Sequence, residues 1–465
     1  MKNLLLIISF CFVSTLNAQE ETSVLRFDEF LGYVKAYHPV VKQATLLIDK
    51  SQAKLMKARG VFDPKLEVDF DRKKFKGSEY YDKLNASFKI PTWYGIELKA
   101  NFEENEGLFL NPEGLIPQDG LYSAGVSFSV AQGLLINERM ASVKQAKLFR
   151  EQAKVERDIL VNNILFEASL VYFNWLKVYN EAQVYNDFLT NAQLRFEGIK
   201  KSVVAGEKAA IDSIEARITI NNRKLKLEKS KVKLMKTSLE LSNYLWLENN
   251  IPVELQQNVI PDVNSEAIIN ESLQVSGLND NDFILEEHPK LRALDFKYKS
   301  LSIDKRLKAN MLLPRIDLQY NFLTQTPEIP NSFNSLNYKA GVSFSFPLFL
   351  RKERGDLKLT KLKIQDLQYE INSSRISIQN KITAIKQELE SYVTQNDLTK
   401  IIVEDYEALV FAEERKFTLG ESSLFLVNTR ESKLIDAKLK AIELQNMFFS
   451  TKALLFNNLI VNPSL

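Results

Sequence analysis

The sequence is poor in the residues on which many enzymes and metal proteins depend. Its 465 residues include one cysteine and two histidines, so a metal site would have to draw most of its ligands from carboxylates. It contains no Gly-x-Ser-x-Gly motif and no phosphate-binding glycine loop. We therefore predict no enzyme activity, no cofactor and no metal site, although 59 acidic residues leave carboxylate pairs as an open alternative.

The sequence also lacks an excess of either charge and has few helix breakers. The 61 basic residues are balanced by 59 acidic ones, and because a nucleic-acid partner requires a basic surface, we predict none. Glycine (15 residues) and proline (13 residues) are scarce, which favours long helices in a chain rich in Lys, Glu, Leu and Ala. Beyond the N terminus no stretch approaches the ~18–20 unbroken apolar residues of a membrane-spanning helix.

The first 18 residues have the pattern of a secretory signal peptide. Lys2 precedes an apolar run over residues 4–16, and we expect cleavage after Ala18. The only cysteine, Cys11, lies in this run, so the mature chain is expected to have no cysteine and no disulfide. Phe10 stands where a lipoprotein signal requires a small residue, which disfavours lipidation. An exported chain without a second apolar anchor is periplasmic, secreted or an outer-membrane barrel.

Four landmarks occur twice in the same order, which indicates an internal duplication. The paired landmarks are His38-Pro39 and His288-Pro289, Pro64 and Pro314, Ala-Gly-Val-Ser-Phe-Ser at 124–129 and 340–345, and Gly206-Glu207 and Gly420-Glu421. The number of residues that separates the two copies of a landmark falls from 250 at the second landmark to 216 at the third. The first copy therefore carries 34 extra residues between these landmarks. The predicted segments are a signal peptide at 1–18, a first repeat at 19–250, a linker at 251–282 and a second repeat at 283–465.

The two His-Pro pairs favour helix starts over metal ligands. Proline is pre-organised for the first position of a helix, and it pushes the preceding residue out of helical geometry. We therefore expect helices over residues 39–61 and 289–312, each ended by the next proline, Pro64 or Pro314.

After each of these helices the apolar residues switch to a period of two, which predicts strands. In the second copy two strands of about ten residues alternate from Ile316 to Phe322 and from Tyr338 to Phe346. Their length suits a membrane barrel, and a soluble half-buried hairpin remains the alternative.

The first copy has matching strands at 66–70 and 122–128, and its extra residues form a hairpin at 82–104. This hairpin either widens a barrel to 18 strands or lies outside it. Its turn, Pro91 to Gly95, carries Trp93, which is expected to cap the hairpin or to lie in an interfacial aromatic belt.

Very long helices follow the strands in both copies. Neither proline nor glycine occurs at residues 137–197 or at residues 356–419. A helix of sixty residues extends roughly 90 Å. Apolar residues at spacings of four and three form a coiled-coil seam, namely Ile378, Ile382, Ile385, Leu389 and Tyr392. Each long helix reaches a glycine, turns, and returns to about Leu247 or Leu459.

Four to six strands per chain cannot close a membrane barrel, because the smallest have eight. An open sheet edge is not tolerated in lipid, so several chains would have to build one barrel, with the helices extending it as a cylinder. This combination resembles the TolC-like outer membrane factors over nearly the whole mature chain. The similarity lies in the duplicated His-Pro helix, the proline before an alternating strand and the two glycine helix turns.

The resemblance implies a mainly α fold with a membrane β-barrel, in which a coiled-coil α-helical barrel and a 12-stranded β-barrel are shared between three chains and built from two internal repeats. It also implies a homotrimer in outer-membrane lipid, with the helices in the periplasm of a two-membrane bacterium. The turns would form a periplasmic tip that docks a membrane-fusion adaptor and an inner-membrane transporter. The implied tip residues are Ala205, Gly206, Ala209, Gly420, Ser422 and Ser423.

The sequence departs from the family pattern at the entrance. Well-known members carry two aspartates six and nine residues after the second tip glycine, where this chain has Leu426 and Thr429. The first tip places Asp212 and Glu215 at the matching spacing, either as an entrance constriction or as a solvated helix face.

The predicted function is a passive outer-membrane exit channel of a tripartite efflux or type I secretion system. The alternative is a periplasmic coiled-coil adaptor or scaffold, which would normally have one helical hairpin inserted into compact β-domains. A diffusion porin is disfavoured because porins are nearly all strand.

Overall fold

The computed structural model describes residues 23–274, 284–328 and 331–460. The predicted signal peptide with Cys11, and residues 275–283 of the predicted linker, lie outside these ranges. The described residues form eight α-helices, which dominate the fold. In chain order they are α1 (Phe27–Tyr37), α2 (Pro39–Arg59), α3 (Glu138–Val204), α4 (Ala210–Ser242), α5 (Glu266–Leu273), α6 (Pro289–Asn310), α7 (Arg351–Thr418) and α8 (Leu424–Leu459).

The strands are grouped into one large sheet and two small ones. In chain order they are β1 (Ser23–Leu25), β2 (Lys65–Phe75), β3 (Ser78–Pro91), β4 (Ile96–Glu106), β5 (Leu121–Ser129), β6 (Trp246–Leu247), β7 (Ile251–Pro252), β8 (Val259–Pro261), β9 (Arg315–Thr324) and β10 (Tyr338–Ser345). The hairpin predicted at 82–104 is therefore longer at both ends than its apolar alternation indicated.

Both His-Pro pairs start helices, as predicted. The Nδ1 atoms of His38 and His288 accept hydrogen bonds of 3.2 Å from the backbone N–H groups of Val40 and Lys290. Each imidazole thus satisfies one of the unpaired N–H groups at the start of α2 or α6. On His288, Nε2 lies 2.9 Å from the carbonyl oxygen of Asn458, and because Nδ1 accepts, Nε2 carries the proton and donates.

The helices α3 and α7 contain 67 and 68 residues, which corresponds to about 100 Å each. They run through Gly198 and Gly355, so both are longer than the glycine-free stretches indicated. Part of α3 is long and apolar enough to cross a membrane by composition. Polar residues such as Asn162 interrupt this stretch, so no unbroken apolar run of membrane-spanning length is visible in the sequence. Half of the stretch is buried within the chain.

The large sheet is antiparallel and has the strand order β10-β9-β5-β4-β3-β2. The extra hairpin β3–β4 thus lies inside the sheet, between β2 and β5. Residues that are partners on neighbouring strands lie on the same face of the sheet. In all five pairings even-numbered residues pair with even-numbered ones, except beyond a bulge at Lys73/Lys74. One face is consequently apolar across all six strands, and the opposite face carries the polar side chains.

The largest core lies where the middle of α3 meets α1, α5 and the end of α8. Its largest fully buried side chains include Phe27, Tyr172, Trp175 and Phe449. Tyr172 donates a 2.8 Å hydrogen bond to the carbonyl oxygen of Leu25, next to the parallel pairing of β1 with β8. We call this region the equatorial core. The predicted seam on α7 is confirmed, because Ile378, Ile382 and Ile385 are buried in an adjoining apolar cluster.

Candidate docking and entrance site at the helical tips

Each pair of long helices ends in a tight turn built around a glycine. Gly206 has φ +76° and Gly420 has φ +80°, the left-handed conformation that side-chain-bearing residues rarely adopt. Apart from the glycine itself and its two chain neighbours, no described atom lies within 4 Å of the position that a Cβ would occupy at either glycine. Backbone conformation, and not crowding, therefore requires glycine at both turns.

The first tip is formed mainly by small residues. Ala205 ends α3 and Ala209 precedes α4, and both are exposed together with Gly206. Ala209 occupies the N-cap position of α4 without a side-chain hydrogen bond. These three residues therefore present only backbone and methyl groups to their surroundings.

The second tip has the same turn but more side-chain hydrogen bonds. Ser423 is the N-cap of α8, and its Oγ accepts a 3.3 Å hydrogen bond from the backbone N–H of Leu426. The half-buried Ser422 donates from Oγ to Glu413 at 2.5 Å. Gly420 and Ser423 are exposed. Five of the six predicted tip residues are therefore on the surface, and Ser422 is bonded within its own hairpin.

The two predicted constriction residues have different surroundings. Asp212 lies half-buried in the first turn of α4. Glu215, one turn further on, accepts a 3.1 Å hydrogen bond from Nδ2 of Asn428 on α8. Leu426 and Thr429, at the positions where the family carries aspartates, are exposed. Glu215 thus joins the two hairpins, whereas Asp212 has no such bond in the described part of the chain.

Apolar contacts also hold the two tips together. Ile199 on α3, Ala216 on α4 and Leu424 on α8 form a small buried cluster. The Nζ atom of Lys208 lies 3.5 Å from the ring centroid of Phe417 on α7, within the range of a cation–π interaction. The tips of the two hairpins therefore form one continuous surface.

Four charged side chains, one from each long or returning helix, meet a few turns from the tips. Arg195 on α3 donates from Nη1 to Oε2 of Glu431 on α8 at 2.9 Å. Arg223 on α4 donates from Nη2 to the same oxygen at 2.6 Å, and Arg195 also donates to Glu414 on α7. We call these four residues the charge network. Sequence reasoning missed it, because isolated charges on long helices resemble solvated faces.

Burial acts differently on the two arginines of the charge network. It opposes the charge on Arg195, but the bonds and attraction to Glu431 and Glu414 outweigh it and raise the pKa of this guanidinium. At Arg223 burial dominates over attraction to Glu431, and the pKa is lowered from its usual value. Nε and Nη1 of Arg223 find no hydrogen-bond partner among the described residues. Glu431, which is 1% exposed, therefore provides the main compensation for the Arg223 charge.

Exposed apolar side chains beside the turns were also missed. Ile211 and Phe425 each lie five residues after a tip glycine, and both are largely exposed, as are Val204 and Leu419. An apolar residue at the same position of both copies is a sequence signal that could have identified them. Within residues 23–274, 284–328 and 331–460, no group of three or more His, Cys, Asp or Glu side chains is arranged to hold a metal ion.

The chain combines an antiparallel sheet with one apolar face and two helical hairpins, and the longer helix of each hairpin extends about 100 Å. This arrangement is the fold of the TolC-like outer membrane channels. Comparison with solved structures confirms the predicted mainly helical fold with an attached sheet, whereas the sharing of one barrel between three chains stays a prediction.

The chain is similar to the MtrE outer membrane channel of Neisseria gonorrhoeae in its open state, with a TM-score of 0.67 and 14% identity, over 94% of this chain and 89% of that one. It is also similar to CusC, from a study of folding and transmembrane channel formation. The TM-score is 0.66 and the identity 14%, over 96% of this chain and 95% of that one. For the CmeC outer membrane channel of Campylobacter jejuni the TM-score is 0.64 and the identity 12%, over 94% of this chain and 87% of that one. No protein-family model and no curated protein matches the chain.

Proposed function

We propose that this protein is a homotrimeric outer-membrane exit channel of a tripartite efflux or type I secretion system. Its sheets form a barrel in the outer membrane, its helices extend into the periplasm, and its tips dock a periplasmic adaptor fed by an inner-membrane transporter. The observation that carries the proposal is the continuous apolar face of the six-stranded sheet, attached to two helical hairpins whose longer helices extend about 100 Å.

This apolar face requires a partner other than water. Leu66, Val342 and Phe344 are among its side chains, and they are 72%, 75% and 68% exposed in the single chain. Phe333 packs against Phe322 at one part of this face, but the side chains on its outer strands remain exposed, and contiguous apolar patches of such extent are rare on soluble monomers. Lipid on the apolar face and water on the polar face satisfy both sides of the sheet.

The open edges of the sheet support assembly from several chains. β2 and β10 each pair on one side only among the described strands, which leaves a row of backbone N–H and C=O groups unpaired. In a bilayer every such group requires a partner. Identical chains arranged around one axis supply it, because the edge of one copy meets the opposite edge of the next.

The tips are the proposed docking site for the adaptor. Small exposed residues, Ala205, Ala209 and Ser423, allow close approach of helices, and the neighbouring Ile211 and Phe425 supply apolar contact area. Asp212 is the proposed constriction residue, repeated three times around the entrance of a trimer, while Glu215 braces the tip through Asn428.

The alternative of a periplasmic adaptor or scaffold explains less of the molecule. It leaves the apolar face of a six-stranded sheet exposed to water, and it gives no role to two equivalent helical hairpins. The likeness in fold to outer membrane channels over more than nine-tenths of this chain also favours the channel.

The mass of the mature protein extracted in detergent from outer membranes, with bound detergent subtracted, tests the proposal. A mass of three chains is expected. A monomer recovered from the soluble fraction without detergent would overturn the channel and favour the scaffold.

Docking is tested separately by adding bulk at the tip. Ser423→Trp, and likewise a bulky substitution at Ser422, is expected to abolish export because adaptor helices could no longer approach, while the trimer mass stays unchanged. Ser391→Trp, at an exposed serine on α7 far from the tip, is the matched control. Normal export by the Ser423 variant contradicts the docking site.

A further inference from the structure

We propose that the extra hairpin β3–β4 is part of the membrane barrel, so that three chains close a barrel of 18 strands in which β2 of each copy pairs with β10 of the next. The inference rests on the proposed function. It departs from the 12 strands that the family resemblance implies, because each chain contributes six strands where that pattern has four.

The hairpin is inserted in the sheet and not attached to its edge. β3 pairs with β2 from Lys65↔Lys89 onward, and β4 pairs with β5 from Ile96↔Phe128 to Glu103↔Leu121. The outer strands of the first copy, β2 and β5, do not pair with each other in this arrangement. Removing the hairpin from the membrane would therefore break two strand ladders in every chain.

The faces of the hairpin match those of the other strands. Its apolar side chains continue the apolar face, since Phe88 lies opposite Leu66 and Leu98 lies opposite Val126. Phe88 and Leu98 are each 42% exposed. On the other face, Ser87 and Asn101 are cross-strand partners. A hairpin outside the membrane would expose its apolar face to water, whereas in the barrel that face contacts lipid.

The strands of the hairpin are long enough to span the membrane. β3 has 14 residues and β4 has 11, and a tilted barrel strand needs about 9–11. Beyond the bulge at Lys73/Lys74, Ser78 and Glu79 extend the ladder past the apolar region. The charged pair Arg72 and Asp82 lies on the membrane side of the bulge, on the even-numbered face, and marks the outer limit of the apolar band.

The turn of the hairpin is fixed to the start of the helical part. The Trp93 ring stacks on Phe62 with centroids 5.4 Å apart, and the carbonyl oxygen of Trp93 accepts a 3.2 Å hydrogen bond from Nδ2 of Asn137. Arg139 in the first turn of α3 lies 3.2 Å from Glu97. The turn therefore caps the hairpin at the same level at which the other strands join the helices.

Strand direction permits closure. All five pairings in the sheet are antiparallel, so the two edge strands of a six-stranded sheet run in opposite directions. A second copy rotated about the barrel axis presents β2 antiparallel to β10 of the first, and the alternation continues around the ring. Barrel diameter grows roughly linearly with strand number, so 18 strands give a barrel about 1.5 times as wide as 12.

Spin labels on single cysteines test whether the hairpin faces lipid. The mature chain is expected to lack cysteine, so each substitution gives one label. Phe88→Cys and Phe102→Cys are expected to be accessible to oxygen in the bilayer. Asn85→Cys and Asn101→Cys on the polar face of the hairpin are expected to be accessible to a water-soluble nickel complex. Val126→Cys and Ser127→Cys on β5, which do not belong to the hairpin, are the matched controls.

The controls separate the two proposals. If the Val126 label contacts lipid while all four hairpin labels contact only water, the hairpin lies outside the barrel and this inference fails alone. If the Val126 label also contacts only water, the membrane channel itself is wrong and the inference falls with it.

Disulfide cross-linking tests the closing pair of strands. Glu67→Cys on β2 is combined in turn with Gly341→Cys, Ser343→Cys or Ser345→Cys on β10, which all lie on the polar face. These strands are opposite edges of one six-stranded sheet, about 24 Å apart within a chain, so a disulfide can form only between copies. At least one pair is expected to give cross-linked dimers and trimers on denaturing gels. Monomers alone from all three pairs, with the trimer mass intact, would overturn the closure.

Discussion

The equatorial core and the tips hold the same long helices together by different means. At the equator, large aromatic side chains such as Phe27, Tyr172 and Trp175 are fully buried. Near the tips the apolar clusters are small, and the four-residue charge network joins the helices instead. Apolar packing is not directional and tolerates no gap, whereas a buried ion network depends on each of its partners. The two ends of the helices should therefore respond differently to substitution.

The largest effect is expected at the equator. Trp175→Ala leaves a cavity between α3 and its neighbours, and such substitutions lower the free energy of unfolding by about 3–5 kcal/mol. The denaturation midpoint of the helical circular dichroism signal of the extracted protein measures the loss. Trp246→Ala is the matched control, because Trp246 is only half-buried in a short strand. Equal losses in both variants would contradict a dominant equatorial core.

Removing one charge from the network should produce a large but local effect. Glu431→Gln leaves Arg195 and Arg223 buried without their shared counter-charge, which costs about 3 kcal/mol. Faster amide hydrogen exchange is expected in α4 and α8 near the tips, with unchanged exchange around Trp175. Glu414→Gln is the control, since Glu414 is 42% exposed and Glu431 remains to pair with both arginines. Uniform loosening of the whole helix would argue against two independent regions.

The contrast between these regions also separates what could be predicted from the sequence from what could not. The helix starts at Pro39 and Pro289 and the turns at Gly206 and Gly420 were predictable, because each is determined by a few adjacent residues. The apolar alternation of the strands was equally local. The duplication made each of these signals visible twice.

The charge network and the sheet order depend on distant residues. Arg195 and Glu431 are 236 positions apart, and each alone is an ordinary charge on a helix. The insertion of β3–β4 between β2 and β5 depends on register over long loops, which alternation within one strand does not determine. Asp212 and Glu215 shared one spacing pattern, and only the bond from Asn428 distinguishes them.

Within the tips, the two copies differ at one capping position. Ser423 caps α8, whereas its counterpart Ala209 leaves α4 without a side-chain cap. Ser423→Ala is expected to destabilise the second tip by about 1 kcal/mol, and Ala209→Ser to stabilise the first tip by a similar amount. Proteolysis rates at the two turns provide the measurement. The capping argument fails if neither rate changes in the direction stated.

The smallest expected effect is a pH dependence that belongs to the helix starts. Burial lowers the pKa of His38 and of His288, and in each case a backbone carbonyl, of Asn243 or Asn458, only partly offsets it. The neutral form is required, because Nδ1 accepts the capping hydrogen bond.

As pH falls below about 6.5, the unfolded chain therefore binds protons before the folded chain does, and stability decreases down to the folded pKa values. The double variant His38→Asn/His288→Asn keeps a side chain that can cap a helix but cannot titrate. Thermal midpoints at pH 7.5 and 5.5 should differ less in this variant than in the unmodified protein, by on the order of one degree. The same pH dependence in both proteins would show that neither imidazole contributes to it, and that the lowered pKa values do not affect folding in this range.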